Sequence, residues 1–570
     1  MSEVAASALD EAVGRFAPLW EAAYDRGLSR SFTAPGKTIK ECILRNLKGH
    51  EDDVFIRFGG KRITRGRADE LSCRLANALG DAGVAPGDCV SIIVSNRPEI
   101  VYSFTACYKA GFVAAAYNQR STACEIYAAV QGAESTAIII ERDQLDKVLG
   151  FYLNGDFDTV RAIVVVDGGA GYRASMDGAD EAALAGRTVV SFEDLLAHGN
   201  PDEPAYEVEP DDYAVQLFTG GTTGKSKGLR QTQGALAFEI QDMGEWAKPA
   251  LRGRPADILV CMPMTHVMGI NYGIHWQLIN GGSVVITNRT KSDEIVADID
   301  RYKPTMWATL PALLLAVSHE EGIADTAFYD LDLIIFGGSF MPKETLATFK
   351  GATRAPFVNS YGMSESFGFV SCNPVGSVRE EGKADKIASI GVPIAETDML
   401  IVDLNDGTEP MEPGHCGEIV FRGPQCAKEY WNNPAETAHA IRNGWIYSGD
   451  IGYMDEDGYF FIVDRKKDMI SVGGFNVFPS EIDNVLSTHP AVKEVCTIGV
   501  PDERSGERAK AFVSLKAGCE SSEEELRAYC KHFLVAYKAP KYIEFIDEIP
   551  KTKAHKPNRA ALKRLEESRS

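Results

Sequence analysis

The chain has 570 residues, too many for one core and enough for roughly three or four domain-sized units. Its formal net charge is −22, which excludes nucleic acid and anionic membrane surfaces as main partners. With 45% hydrophobic and 25% charged residues, it has the composition of a soluble globular protein. The 12 cysteines run from Cys42 to Cys530 with no C-x-x-C pair and no zinc-spaced Cys/His cluster. They read as small buried side chains of a reducing compartment. The N-terminus is acidic and has no apolar core, so no signal peptide is expected. No uninterrupted apolar run could span a bilayer, so the expectation is a cytoplasmic protein without integral membrane association.

Residues 1–50 show amphipathic helical patterning. Helix is expected over Leu71–Ala82, a turn at Val84–Asp88, strand at Cys89–Val94, helix at Ile100–Lys109 and strand at Gly111–Tyr117. Ile138–Ile140 and Ala162–Val166 read as further buried strands. Helix and strand alternating in this way imply βα units and a largely parallel sheet. Residues 167–210, rich in Gly, Ala, Asp and Pro, read as a surface excursion with a short strand start at Val189-Val190. A second βα series has strands at Ile258–Cys261, Gly282–Ile286, Thr305–Thr309 and Leu333–Phe336. Past residue 388 shorter strands, such as Glu418–Arg422 and Tyr459–Val463, suggest a small β-rich subdomain. Residues 464–474 read as a linker into a last α+β unit. Its helices are expected at Pro479–Thr488 and Ser522–Phe533, and its strands at Glu494–Val500 and Ala511–Leu515.

The chemistry concentrates in residues 217–229, Leu-Phe-Thr-Gly-Gly-Thr-Thr-Gly-Lys-Ser-Lys-Gly-Leu, expected as a loop between an apolar strand and a helix. Glycine admits close backbone approach, and amides, hydroxyls and ammonium groups satisfy phosphate oxygens. Gly224-Lys225-Ser226 imitates the end of a P-loop, but the first glycine of G-x-x-x-x-G-K-[ST] is replaced by Thr219. The rival register places the lysine at Lys227.

Three further segments fit nucleotide chemistry. Asn359–Glu365, after an expected strand, sets a hydroxyl and a carboxylate beside a tight turn, and such hard oxygens suit Mg²⁺. Gly444–Asp450 ends a strand-like run in an acid, a natural acceptor for ribose hydroxyls. Pro550–Arg559 gathers cations near the C-terminus. Any one of these alone is also compatible with a capping, turn-closing or solvated role.

In order and spacing, residues 54–563 resemble the adenylate-forming (AMP-binding) superfamily, in particular its acyl-CoA synthetase and acid:CoA ligase branch. Thr219–Gly228 is similar to its phosphate loop T-S-G-T-T-G-x-P-K-G, with Gly220 for serine and Ser226 for proline. Tyr361–Glu365 is similar to Y-G-x-T-E, Tyr447–Asp450 to the end of Y-x-T-G-D, and Asp464–Asp468 to the hinge segment. Pro550–Lys556 is similar to P-K-T-x-x-G-K, with His555 for glycine.

The resemblance implies an α/β protein. A large N-terminal domain of parallel and mixed sheets flanked by helices, with a small β subdomain, would span residues 1–464. A mobile α+β C-terminal domain, residues 465–570, would pivot at Lys467. It implies ATP, Mg²⁺ and coenzyme A as co-substrates, with a small carboxylic acid as the other partner, and it admits a homodimer. Thr219, Gly220, Gly221, Thr222, Thr223, Gly224 and Lys227 would cradle phosphates, and Thr222, Thr223 and Glu365 would hold Mg²⁺. Gly338, Ser339, Asn359, Ser360, Tyr361, Gly362, Met363 and Ile462 would surround the adenosine. Ser364 would touch the α-phosphate, and Asp450 and Arg465 the ribose. Lys556 would be the catalytic lysine, and Gly473, Gly474 and Phe475 would border the CoA channel. The lysine that some relatives carry at the position of Ser471 is missing.

By the same resemblance the acid pocket would comprise His266, Val267, Met268, Gly269, Ile270, Gly337, Gly362, Met363 and Phe367, with His266 at its entrance. Methionine and glycine make an adaptable apolar cavity, and no charge is visible in these segments. A hydrophobic acid (fatty, aryl or alicyclic) is therefore expected, and amino acids are disfavoured. Thr232-Gln233 replaces the family's Thr-His, with no consequence assigned. The alternatives are an adenylation enzyme that loads a carrier protein and a non-catalytic nucleotide- or acyl-AMP-binding protein.

Overall fold

The computed structural model describes residues 3–169, 188–219, 227–338, 348–349, 351–376, 384–551 and 557–569. The N-terminal patterning becomes helices Glu3–Glu21 and Ile39–Leu47. Strand Cys89–Ile93, helix Pro98–Ala110 and strand Val113–Ala116 form the first βα unit. Proline at the start of that helix and left-handed Gly111 at its end fix its limits. Cys89–Ile93 and Ala162–Val166 are buried at every position, as strands covered on both faces must be.

These strands belong to a seven-stranded sheet in the order Thr188–Ser191, Ala162–Val166, Ser135–Glu141, Cys89–Ile93, Val113–Ala116, Tyr213–Thr219, Lys227–Thr232. All neighbours are parallel except the last pair. The second βα series builds a nine-stranded sheet. Its parallel centre runs Phe357–Met363, Leu333–Gly337, Met306–Thr309, Asp257–Val260, Ser283–Ile286, Val54–Phe58. A smaller antiparallel sheet follows, with strands Asp398–Val402, Gly417–Arg422, Trp445–Met454 and Phe460–Arg465. The last sheet contains Ile470–Val472, Phe475–Val477, Val492–Asp502, Gly506–Leu515 and Tyr542–Phe545. The hydrophobic clusters change over with it: among the described residues no buried cluster joins residues up to Phe461 with residues from Ile470 onward.

Several expectations need correction. The glycine loop does not run from strand to helix. It joins the antiparallel strands Tyr213–Thr219 and Lys227–Thr232, and the helix begins only at Gln233. In Lys227–Thr232 buried and half-buried positions are interspersed, so the segment pairs at the sheet edge before Thr232 caps the helix. The surface excursion contains a helix, Phe192–His198, capped by Ser191; residues 170–187 lie outside the described residues. Asn359–Met363 does not follow a strand but is the end of one, and Asp450 lies in mid-strand. The 464–474 linker is short, because Ile470–Val472 already belongs to the last sheet.

Two polar arrangements stabilise the core. Lys109 is fully buried between two helices, 2.6 Å from Asp69, 2.5 Å from Glu203 and 3.1 Å from the Cys73 sulfur. Asp69, Cys73 and Glu203 are metal-ligand types, but the ammonium already supplies the cation between them. His275, in a π-helical turn at Asn271–His275, is held from both sides. The Tyr108 hydroxyl donates to Nε2 at 2.5 Å, and Nδ1 donates to the Asn271 side-chain oxygen Oδ1 at 2.8 Å. The Asn271 amide nitrogen in turn donates to the Phe367 carbonyl, which fixes the tautomer assignment.

Burial pushes the His275 imidazole down to about 3 from its ordinary value. The unfolded chain therefore takes up a proton that the folded chain refuses, so this contribution is complete above about pH 6.5 and is lost as pH falls toward 3. Between pH 6.5 and 5.5 the wild type should lose about 1 kcal/mol more unfolding free energy than His275→Gln, read from urea midpoints at each pH. Parallel slopes would contradict the buried neutral imidazole.

Candidate active site

The strand Phe357–Met363 ends in a tight turn, Ser364–Ser366, and each end of this segment anchors a polar cluster. At the strand end, the Tyr361 hydroxyl donates to Asp450 Oδ2 at 2.8 Å. Arg465 Nε lies 2.6 Å from Asp450 Oδ1, across the antiparallel register that pairs these two residues. Asp450 is 3% exposed, and burial pushes its carboxyl up while Arg465 opposes the rise. Burial likewise pushes the Tyr361 phenol up, so it stays a hydrogen-bond donor.

At the turn end, the buried Glu365 accepts a hydrogen bond from the Tyr430 hydroxyl at 2.5 Å. Lys227 forms an ion pair with Glu436, and its ammonium lies 5.8 Å from the centre of the Tyr430 ring. The Trp431 amide donates to the Gly228 carbonyl, tying this segment to the end of the glycine loop. Lys227 pairs directly with Thr219 at the mouth of that loop. Three residues separate Tyr361 from Glu365, so their Cα atoms stand no more than about 14 Å apart.

Other expected residues gather nearby. Gly337 pairs with Ser360, whose hydroxyl donates to the Phe336 carbonyl. Gly338 lies against Met268, with 3.7 Å from its Cβ position to the sulfur, so the expected adenosine and acid regions adjoin. Val267–Ile270 forms a short helix, with exposed His266 at its N-cap position. Gly362 and Met363 close the strand, Ser364 opens the turn, and Phe367 is buried behind it.

Asn359, Ile462, Gly473 and Gly474 make other contacts or turns. Asn359 is turned toward a neighbouring turn, donating to the Ser389 carbonyl at 2.8 Å. Ile462 lines a cleft of about 330 Å³ with Cys416, Phe478 and Lys538, facing the last unit. Gly473 and Gly474 are the two turn residues of the hairpin Ile470–Val477, with φ of +59° and +86°. Positive φ at both positions is what a type I′ turn demands, so the turn alone accounts for the pair. Phe475 is 58% exposed and stacks on Tyr537 at 4.8 Å. Lys467 sits in the single turn, Lys466–Asp468, between the third and fourth sheets. Gly220, Gly221, Thr222, Thr223, Gly224, Ser339 and Lys556 lie outside the described residues, as does the Thr219 side chain. The flanks of the Lys556 segment, Lys551 and Pro557, pair with each other, and Arg559 binds Asp483 at 2.7 Å.

Tyr430 and Glu436 were not singled out from sequence. Asn433, the helix cap between them, was the available local signal, but nothing local reveals that this helix faces Lys227. Tyr430→Phe should cost about 1–3 kcal/mol by leaving a buried carboxylate oxygen unpaired, measured as a lowered thermal midpoint. An unchanged midpoint would mean that the Glu365 carboxylate is solvated.

The family profile of AMP-binding enzymes matches residues 43–431, and that of the AMP-binding enzyme C-terminal domain matches residues 481–556. A long-chain-fatty-acid–CoA ligase of Bacillus subtilis (strain 168) is 30% identical over 563 residues, 95% of this chain and 97% of the relative. A feruloyl-CoA synthase of an Amycolatopsis species is 30% identical over 509 residues, 89% of this chain and 95% of the relative. The crystal structure of the anthranilate CoA ligase AuaEII with anthranoyl-AMP superposes with a TM-score of 0.79 at 24% identity, covering 94% of this chain and 98% of that one. No helix among the described residues is long and apolar enough to cross a membrane. The chain belongs to the AMP-binding enzyme family and is an adenylate-forming ligase.

Proposed function

We propose that this chain is an AMP-forming acid:CoA ligase acting on a carboxylic acid with a largely hydrophobic body. The observation that carries the reading is the single segment Tyr361–Glu365, which joins a ribose-suited carboxylate cluster to a phosphate-suited lysine cluster. The relatives named for long-chain fatty and feruloyl acids support the hydrophobic body.

In the first half-reaction an oxygen of the acid's carboxylate attacks the α-phosphorus of ATP, and pyrophosphate leaves with the electron pair of the broken P–O bond. Charge spreads over the transferred centre, so cations and fixed donors matter more than proton transfer. Lys227 leaves Glu436 to meet the phosphates, with the glycine loop residues 219–224 supplying amides and hydroxyls. Asp450 takes the ribose hydroxyls, Arg465 keeps that carboxylate ionised, and Tyr361 lies against the base. Lys556 bridges the acid's carboxylate and the α-phosphate. Glu365 with Thr222 or Thr223 offers the hard oxygen donors that suit Mg²⁺, and one Glu365 oxygen already accepts from Tyr430. When bound, Mg²⁺ supplies charge compensation for the leaving pyrophosphate.

In the second half-reaction the CoA thiol attacks the acyl carbonyl, loses its proton, and AMP leaves. Residues 465–570 pivot at Lys467, withdrawing Lys556 and bringing Gly473, Gly474 and Phe475 to the acyl-adenylate. The turn Lys466–Asp468 and the changeover of buried clusters support a division at residues 464/465.

ATP–pyrophosphate exchange over fatty, aryl, alicyclic and amino acids, followed by addition of CoA, tests the reading. Exchange that proceeds to a CoA thioester is the expected result. Exchange without a thioester would transfer the acceptor role to a carrier protein, and no exchange with any acid would overturn the ligase reading. Lys556→Ala should lower exchange by more than about a hundredfold while thioester formation from supplied acyl-AMP persists. Equal loss of both halves would overturn the pivoting assignment.

A further inference from the structure

Two buried carboxylates of the third sheet, Asp450 and Glu418, are answered by two consecutive cations. Asp450 pairs with Arg465. Glu418, in the strand Gly417–Arg422, pairs with Lys466, whose ammonium lies 2.7 Å from Glu418 Oε2. The other oxygen of Glu418 accepts the Gly449 amide at 3.0 Å. Gly449 directly precedes Asp450, so Glu418 braces the segment that carries the ribose-suited carboxylate. Burial raises the Asp450 carboxyl, Arg465 and Tyr361 oppose the rise, and the charge of Glu418 adds to it. Lys466 therefore offsets a negative charge that acts on Asp450 as well as completing a buried ion pair.

The second pair reaches further than the first. Arg465 lies opposite Asp450 on the neighbouring strand. Lys466 opens the turn after that strand and reaches across Trp445–Met454 to the strand beyond. It ties the chain to the third sheet by a contact that strand pairing does not supply. Past Lys467 the anchors belong to the last unit: Asp468 lies 3.9 Å from Arg559, which pairs at 2.7 Å with Asp483 of helix Pro479–Ser487. In the turn Lys466–Asp468, Lys467 thus stands between an anchor to the third sheet and an anchor to the last unit.

The two pairs meet different fates when a nucleoside binds. The ribose hydroxyls must be accepted by the same two Asp450 oxygens that hold Tyr361 and Arg465. Sharing those lone pairs weakens the hold on Arg465. Glu418 has both oxygens engaged by protein groups and meets no nucleotide in the proposed function, so its pair with Lys466 persists. We infer that Glu418 is a positioning residue: with Lys466 it clamps the third-sheet side of the pivot, so that nucleotide takes up Asp450 without releasing the chain there. The inference rests on the ligase reading above, with Asp450 as the ribose acceptor. It places the first residue free to turn at Lys467.

The test compares the full-length wild type with Glu418→Gln, Lys466→Met and the double variant, with a thermal midpoint for each. Amide hydrogen exchange is followed in the peptide spanning Arg465–Met469, with and without AMP. Addition of AMP should change exchange there by less than about twofold in the wild type and raise it at least about fivefold in each variant, the lower end of coupling between two sites. In ATP–pyrophosphate exchange the apparent KM for ATP should rise by at least about fivefold while kcat stays within about twofold, because ribose remains bound from ground state to transition state. The double variant should be no worse than either single variant, since all three remove the same pair. Glu418→Gln keeps an acceptor for the Gly449 amide, and Lys466→Met decides the matter if it does not fold. A lowered midpoint and kcat with no AMP-dependent rise in hydrogen exchange, or a KM for ATP equal to that of the wild type, overturns the inference and leaves the ligase reading intact. No ATP–pyrophosphate exchange with any acid overturns the ligase reading, and the AMP-dependent hydrogen exchange then decides on the clamp by itself.

Discussion

The carboxylate of Asp450 ties together two sheets of the molecule. Tyr361 reaches it from the nine-stranded sheet, and Arg465 reaches it from the strand that leads out of the third sheet. One turn later the chain enters the last sheet. A buried carboxylate is costly unless paired, and this one has a donor on each oxygen. The same two oxygens are suited to a pair of ribose hydroxyls. In the proposed function, nucleoside binding and the position of the Arg465 strand would be coupled through this one group, beside the proposed pivot.

The lysine cluster follows the same logic. Without phosphate, Lys227 needs an anion, and Glu436 serves as one. Tyr430 stands between Lys227 and Glu365, contacting both. In the proposed function these are the groups that meet phosphate and metal, so Tyr430 stands against both of them. Burial raises the Tyr430 phenol far above its ordinary value, so it remains a donor across the physiological range. The residues that carry the chemistry are few, and those that separate and orient them come from a segment about 65 residues downstream of the Y-G-M-S-E motif.

Lys109 and Glu239 show two outcomes for a charged side chain without exposure. Lys109 sits among two carboxylates and a thiol, joining helices Arg65–Asp81 and Pro98–Ala110 to the segment that contains Glu203. Glu239 meets no such cation; burial pushes its carboxyl up, the Phe369 amide opposes that rise, and the missing side chain at Gly368 leaves the room it occupies. The first charge is offset by opposite charge, and the second is pushed toward its neutral form by burial.

Local chemistry made much of this protein legible. Continuous apolar runs marked the parallel strands at Cys89–Ile93 and Ala162–Val166, because strands covered on both faces have no polar alternation to obscure them. Periodicity and proline marked helix Pro98–Ala110, and the ordered motifs identified the family from Thr219 to the C-terminal lysines. Period alone could not show that Lys227–Thr232 pairs back as an edge strand, because six residues beside a glycine loop suit either a strand or a helix start. Nor could it show that Gly473-Gly474 makes a hairpin turn, since that depends on which strands flank the pair. The sequence by itself determined the class of chemistry and the order of its parts, because both reside in contiguous residues. Only the tertiary structure decided that Tyr430 contacts both Lys227 and Glu365, that Asp450 is held from two sheets, and that Glu239 is buried beside Gly368. Those facts arise from contacts between distant segments, where burial sets the energy of a charge and no local pattern records it.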